Sequence, residues 1–272
     1  MIKHIDSIVN SHKGKPGYVI GLGPSLKNDL TFLENIDRES NCVISCNNVD
    51  IMTNIIPHYW MIANNLPEFR VHNNSDRFNK IKESCLVYCY RADGSDYTST
   101  KPGVYDRDRL AIEEKIMSID FIPFHDSLTI DNESAKSFNV PEVGTKTLHE
   151  LYCDCVGGNL MDPVERGASL TTVAIHMLKT AMIAGCNPIT ITGVDLDYTK
   201  GYVNNSPSKG NFQAYSRREL GMVLMNGGNE REKTLRYLDL INEDAKRNGV
   251  KIYSAIPEGY INSVFEYKPI SQ

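Results

Sequence analysis

The residues whose types and spacing could do chemistry begin where the apolar run Tyr18-Val19-Ile20 gives way to Gly21-Leu22-Gly23-Pro24-Ser25-Leu26. Val19 and Ile20 are β-branched and read as a buried strand, while Gly21 and Gly23 lack the Cβ that would keep a ligand from the backbone. Pro24 suits the first turn of a helix, where its missing N–H has no partner to lose, so Ser25 and the amides around it can point at an anion. Gly21, Gly23, Pro24 and Ser25 are therefore a candidate phosphate cradle, although a Gly-x-Gly pair taken alone is as often a plain turn. A dinucleotide fingerprint would need a small residue where Leu26 stands and an acidic residue ending the next strand, where the chain has Asn47-Asn48. Nicotinamide and flavin chemistry is thus disfavoured, and a P-loop is excluded because no Gly-Lys-Ser/Thr follows the glycines.

Further polar groups recur at the ends of apolar runs. Cys42–Cys46 ends at Asn47, and His58–Ala63 ends at Asn64-Asn65. In an open parallel sheet these amides and Gly21 line one edge, and a side-chain amide donates and accepts at once, as a nucleobase or ribose requires. Asn also tolerates tight strand-to-helix turns, which is the plainer account of each one singly. An apolar helix is expected from about Pro163 to Ala184, with Arg166-Gly167-Ala168-Ser169 in its first turn, a place to receive a carboxylate or phosphate. The strand Ile189–Gly193 runs into Val194-Asp195-Leu196-Asp197-Tyr198, an Asp-x-Asp at a strand end.

The elements that must position these groups read as α/β. Strands at 18–20, 42–46, 58–63, 85–90, 189–193 and 250–255 alternate with helical patterns, including a lead-in at 2–11, a helix to about Ile36 and a last helix over 230–247, so a Rossmann-like, mostly parallel sheet of about six or seven strands is expected. At 272 residues and 41% hydrophobic content the chain can bury a sizeable core as a single domain, with 91–160 an insertion and 196–229 a lid. A net charge of -5 argues against nucleic acid as the main partner. No apolar stretch approaches the ~20 residues of a spanning helix, and the expected compartment is cytoplasmic, with peripheral membrane contact and homo-oligomerisation both open. The seven cysteines include no Cys-x-x-Cys, and no paired histidines suggest zinc, so no metal is expected and most thiols read as small core residues.

The ordered set Gly-x-Gly-Pro-Ser-Leu, Cys-Asn-Asn, Arg-Gly-Ala-Ser before an apolar helix and Thr-Gly-Val-Asp resembles bacterial lipooligosaccharide sialyltransferases and the related MptE-like domain, also found in flagellin-modifying motility accessory factors. The resemblance implies a metal-independent variant of the nucleotide-sugar glycosyltransferase fold, a CMP-activated nine-carbon acidic sugar as donor, and a glycan or protein hydroxyl as acceptor in cell-surface polysaccharide synthesis. It further implies that Gly21, Gly23 and Ser25 cradle the nucleotide, and that Asn47 and Asn64 or Asn65 contact ribose, base or sugar. Gly193 and Asp195 belong to its Thr-Gly-Val-Asp segment, Arg166 and Ser169 would lie near the donor sugar, and Tyr198 and Tyr202 would hydrogen-bond the leaving phosphate.

The chain departs from this pattern at two places: Leu22 stands where the family often has Asn, and Asn226 where it has a general-base histidine, which an amide cannot replace. His125 is the favoured substitute, because Phe121-Ile122-Pro123-Phe124 reads as a strand that would deliver it to the crevice edge, with His149, Asp195 and Asp197 as alternatives. The rival reaction is diphosphate transfer from ATP to a hydroxymethylpterin, which needs magnesium. A nucleotide-binding module without catalysis is the third reading.

Overall fold

The computed structural model describes residues 5–62, 83–90, 121–125, 148–157, 172–196, 203 and 227–270. Its strands are β1 (Gly17–Ile20), β2 (Cys42–Cys46), β3 (Tyr59–Ile62), β4 (Cys85–Tyr90), β5 (Phe121–His125), β6 (Ile189–Thr192), β7 (Ile252–Ser254) and β8 (Glu266–Tyr267). They form one eight-stranded sheet in the order β5-β4-β3-β2-β1-β6-β7-β8. Every pair is parallel. The count exceeds the expected six or seven because β5 and the two-residue β8 also join the ladder.

A parallel strand in the middle of such a sheet is covered on both faces, so it should be apolar throughout and not alternate. All five residues of β2 are buried. The helices are α1 (Leu30–Glu34), α2 (Val49–Met52), α3 (Leu148–Val156), α4 (Val173–Ile183) and α5 (Gly227–Arg247). Helix α4 packs against β1, β2 and β3 on one side and against α3 and α5 on the other. This double contact explains why every residue from Ala174 to Ile183 is buried. Helix α5 is amphipathic: Leu238, Ile241 and Ala245 face inward, while Asp239, Glu243 and Lys246 are exposed. Its buried acid Asp244 accepts from the Tyr152 hydroxyl of α3 at 2.9 Å and pairs with Arg247.

Three helical segments differ from the sequence expectation. The helix expected from Pro163 begins at Val173, because Thr172 is extended at φ -152, ψ 135 and its hydroxyl accepts the Ala174 N–H at 3.3 Å as an N-cap. The chain after Gly23 is a 3-10 helix over Pro24–Asn28 followed by the short α1, where a continuous helix was expected. The lead-in expected over 2–11 is a 3-10 turn at Ile5–Ile8, with both isoleucines buried.

Candidate functional site

The chain builds outward from β1 to β5 on one side, then crosses back to place β6 on the other side of β1. This reversal is a topological switch point, and open α/β sheets bind ligands outside the carboxyl ends of the strands that flank it. Three segments meet there: Gly21–Ser25 after β1, Gly193–Asp195 after β6, and Asn47 after β2.

The glycines at this point answer first to the backbone. Gly21 N–H donates to Thr192 O at 2.8 Å and Gly23 N–H to Gly193 O at 2.7 Å. A Cβ on Gly21 would collide with the Gly193 carbonyl, and one on Gly193, whose φ is +65, would collide with that of Gly21. The two loops thus cross in direct backbone contact, which only a pair of glycines permits. The corresponding correction to the phosphate cradle is that these two amides are engaged by β6 and do not point at a ligand.

What does reach the loop is a carboxylate. Ser25 Oγ donates to Asp195 Oδ2 at 2.9 Å and Ser25 N–H approaches the same oxygen at 3.4 Å. A Cβ on Gly23 would overlap that oxygen, so Asp195 lies directly against the Gly23 backbone. An internal anion therefore occupies donors that a phosphate would use. Pro24 opens the 3-10 helix with Gly23 as its extended N-cap, which turns Ser25 toward β6.

On the other flank, Asn47 adopts the left-handed region at φ +46, as Asn does more readily than most residues. Its N–H donates to Met61 O at 3.0 Å, and its carbonyl accepts from the indole of Trp60 at 2.8 Å. Its side-chain Oδ1 is buried with no hydrogen-bond partner among the described residues. Such an acceptor calls for a donor from elsewhere.

Two supports escaped the sequence reading. Thr192, fully buried at the end of β6, donates to Asp29 Oδ2 at 2.6 Å, and burial raises the Asp29 carboxyl above the ordinary carboxylate range, an effect the Thr192 bond partly offsets. Val203, also buried, donates its N–H to Leu22 O at 2.9 Å and so fastens the chain just past Tyr202 to the glycine loop. No spacing rule signals either contact.

His125 ends a strand, as expected from the sequence, and that strand, β5, is one edge of the sheet. It shares the carboxyl edge with Gly21 but stands four strands away, roughly 19 Å along the sheet at the usual interstrand spacing. Asn64, Asn65, Arg166, Ser169, Asp197, Tyr198 and Tyr202 lie outside the described residues, as do most of the expected insertion and nearly all of the expected lid. No helix among the described residues is long and apolar enough to cross a membrane.

No family model and no curated protein matches the chain. Among solved structures it is similar to the sialyltransferase CstII from Campylobacter jejuni in complex with cytidine-5'-monophosphate, at 11% identity over 94% of this chain and 86% of that one, with a TM-score of 0.49. It is also similar to the sialyltransferase CST-II with a trisaccharide acceptor and CMP, at 12% identity, 94% and 86% coverage and a TM-score of 0.47. A third similar structure is the apo α-2,3-sialyltransferase from Campylobacter jejuni, at 15% identity, 98% and 84% coverage and a TM-score of 0.46. Likeness at these values assigns neither a reaction nor a ligand to this chain.

Proposed function

We propose that the chain is a glycosyltransferase that moves a sialic-acid-like, nine-carbon acidic sugar from a CMP-activated donor to a glycan or protein hydroxyl. The observation that carries the reading is convergence: the Gly-x-Gly-Pro-Ser, Cys-Asn-Asn and Thr-Gly-Val-Asp segments, far apart in sequence, meet at the one switch point of the sheet.

The charge at the site decides which part of a nucleotide faces the glycine loop. Asp195 lies against Gly23, so a phosphate there would meet a carboxylate, whereas the two hydroxyls of a ribose would donate to it. Ser25 then serves as the residue that orients Asp195. The unpartnered Oδ1 of Asn47 would accept from the base or ribose on the other side of β1. The phosphate in this reading faces away from the loop, toward Arg166, Ser169, Tyr198 and Tyr202, and the sugar toward Asn64 or Asn65. These assignments rest on the resemblance of motifs. In the transfer step an acceptor oxygen attacks the anomeric carbon, the bond from that carbon to the CMP phosphate breaks, and CMP leaves with the electron pair. The acceptor proton goes to a base, for which His125 on the same carboxyl edge is the proposed residue. No metal takes part.

Calorimetric titration with CMP, 2'-deoxy-CMP and ATP tests the donor. CMP should bind best, and Asp195→Asn and Ser25→Ala should each weaken it by about 5- to 150-fold, the equivalent of one lost hydrogen bond of about 1–3 kcal/mol. Release of CMP from a CMP-sugar should continue in EDTA and stop in His125→Ala. Tighter binding of ATP with turnover of a pterin would replace this reading with diphosphate transfer, and binding of CMP without any turnover would reduce it to a nucleotide-binding module.

A further inference from the structure

At the amino ends of the same strands, opposite the switch point, a second group of reactive side chains assembles. His12 sits in the turns after the first 3-10 segment, Cys42 opens β2, His58 precedes β3, and Cys186 lies between α4 and β6. The ligating atoms of His12, Cys42 and His58 all lie within 4.8 Å of one another, which brings a metal ion to mind. Hydrogen bonding argues against one. His58 Nδ1 accepts the Val43 N–H at 3.0 Å, which places the proton of the neutral ring on Nε2. With both nitrogens engaged, the ring has no lone pair for an ion. Lys15 and Arg38 also set positive charge beside it.

The thiols carry no such conflict. Cys42 and Cys186 are wholly buried, and the nearness of Cys186 together with that burial holds the Cys42 thiol well above its ordinary pKa. Gly17 makes that contact: it is the direct β1 neighbour of Cys42, and a Cβ on it would lie 2.7 Å from Cys186 Cβ and 3.0 Å from Cys186 Sγ. The Cys186 side chain thus fills the place over β1 that residue 17 leaves vacant, beside the strand that Cys42 opens. A disulfide needs Cβ atoms about 3.5–4.5 Å apart, and Cys186 packs over the residue that pairs directly with Cys42.

A base is also at hand. Ser11 Oγ donates to Ile8 O at 2.8 Å, so it accepts from the Tyr59 hydroxyl at 2.8 Å and from His12 Nδ1 at 3.1 Å. That bonding leaves the lone pair of His12 on Nε2, and the ring stands within 4.8 Å of Cys42 Sγ. The turn that carries His12 is joined to the end of α4 by backbone bonds from Asn10 to Ile183, from His12 to Ala184 and from Gly14 to Gly185.

We propose that Cys42 and Cys186 form a reversible disulfide on exposure to peroxide. His12 Nε2 takes the Cys42 thiol proton, and the thiolate attacks one peroxide oxygen. The O–O bond breaks, the departing hydroxide takes the proton back from His12 and leaves as water, and a sulfenic acid remains. The Cys186 sulfur then attacks the Cys42 sulfur, its proton leaves with the sulfenic hydroxyl as a second water, and the S–S bond forms. Two thiols have lost two electrons and peroxide has gained them. The product staples β2 to the start of β6 across β1, at the end of the sheet away from the candidate nucleotide site.

The test is peptide mapping of the full chain after reduction, peroxide treatment and alkylation. One linked pair containing residues 42 and 186, lighter by two hydrogens and restored to two thiols by dithiothreitol, is the expected result. His12→Asn should reach the same product about tenfold or more slowly, as befits loss of a positioned base. Cys186→Ala, which keeps a Cβ where one already fits, should leave Cys42 unlinked. Residues 42 and 186 remaining alkylatable while other thiols oxidise, cross-links from either to a third cysteine, or an unchanged rate in His12→Asn at wild-type melting temperature would each overturn the proposal.

Discussion

Asp29 shows how one half-buried carboxyl ties three elements together. Its side chain accepts from Thr192 at the end of β6, its N–H closes the 3-10 turn on Leu26, and its carbonyl receives Leu33 of α1. Because burial raises its folded pKa, the folded state binds more protons than the unfolded state over the interval between the ordinary carboxylate value and the raised one. The associated stability is present below that interval and lost as pH rises through it. Asp29→Asn keeps an acceptor for Thr192 and removes the titration. In melting curves recorded from neutral pH downward, wild type should gain on this variant as pH falls through the carboxylate range. Asp29→Ala should instead lose about 1–3 kcal/mol at all pH values, the cost of an unpaired buried hydroxyl. Parallel curves for wild type and Asp29→Asn would refute the assignment.

At the scale of elements, the ladder between β2 and β3 is extended by a side chain. His58 donates its backbone N–H to Val43 O at 2.7 Å, and its ring accepts the Val43 N–H. Only the neutral ring can accept in this way. Burial, with His12, Arg38 and Lys15 adding positive charge, pushes the His58 pKa down to about 4. A base with a depressed folded pKa contributes stability that is whole above its ordinary value near 6.5 and is lost as pH falls toward the folded one. The unfolding midpoint of wild type should therefore drop between pH ~6.5 and ~4, and that of His58→Gln should be lower at neutral pH but flatter, the two meeting near the acid end. A variant curve as steep as the wild-type one would place the acid sensitivity elsewhere. The crossing of the β1 and β6 loops allows a second prediction. Gly21→Ala and Gly193→Ala each force a methyl group into a carbonyl, and urea denaturation should show a loss of about 1–3 kcal/mol or more, with Gly193→Ala at least as costly because its φ is positive. Full stability in either would mean that the loops can separate.

The whole molecule is an eight-stranded parallel sheet whose winding reverses once, beside β1. That reversal, more than any single motif, locates the candidate site, because it alone opens a crevice between neighbouring strands whose connections depart to opposite sides. A ligand seated there bridges loops from both halves of the sheet and should stabilise the chain as a unit. CMP at about 100 times its dissociation constant should contribute ~2.7 kcal/mol and raise the melting temperature by roughly 5–10 °C. An equal shift with ATP would remove the preference for cytidine on which the donor assignment depends.

The sequence by itself determined the elements whose causes are local. Apolar β-branched runs and the glycine, proline and asparagine breaks after them place β1, β2, β3, β4 and β6 to within a residue or two, and the alternation of strands with helical patterns makes the sheet parallel. Asn47 was legible for the same reason, since a strand end followed by a helix start is written in neighbouring residues. Local pattern failed where a cap or a distant partner outweighed it. Apolar spacing runs upstream of Thr172, yet its hydroxyl cap starts α4 there, and the chain after Pro24 is a 3-10 helix because it must carry Asp29 to Thr192. The tertiary structure alone decided that β6 lies beside β1, and with it the contacts of the site. Asp29 and Thr192 are 163 residues apart, and Ser25 and Asp195 are 170 apart, so no periodicity connects them. The same long-range closure set Cys186 over Gly17 and turned an expected phosphate cradle into a loop already holding a carboxylate.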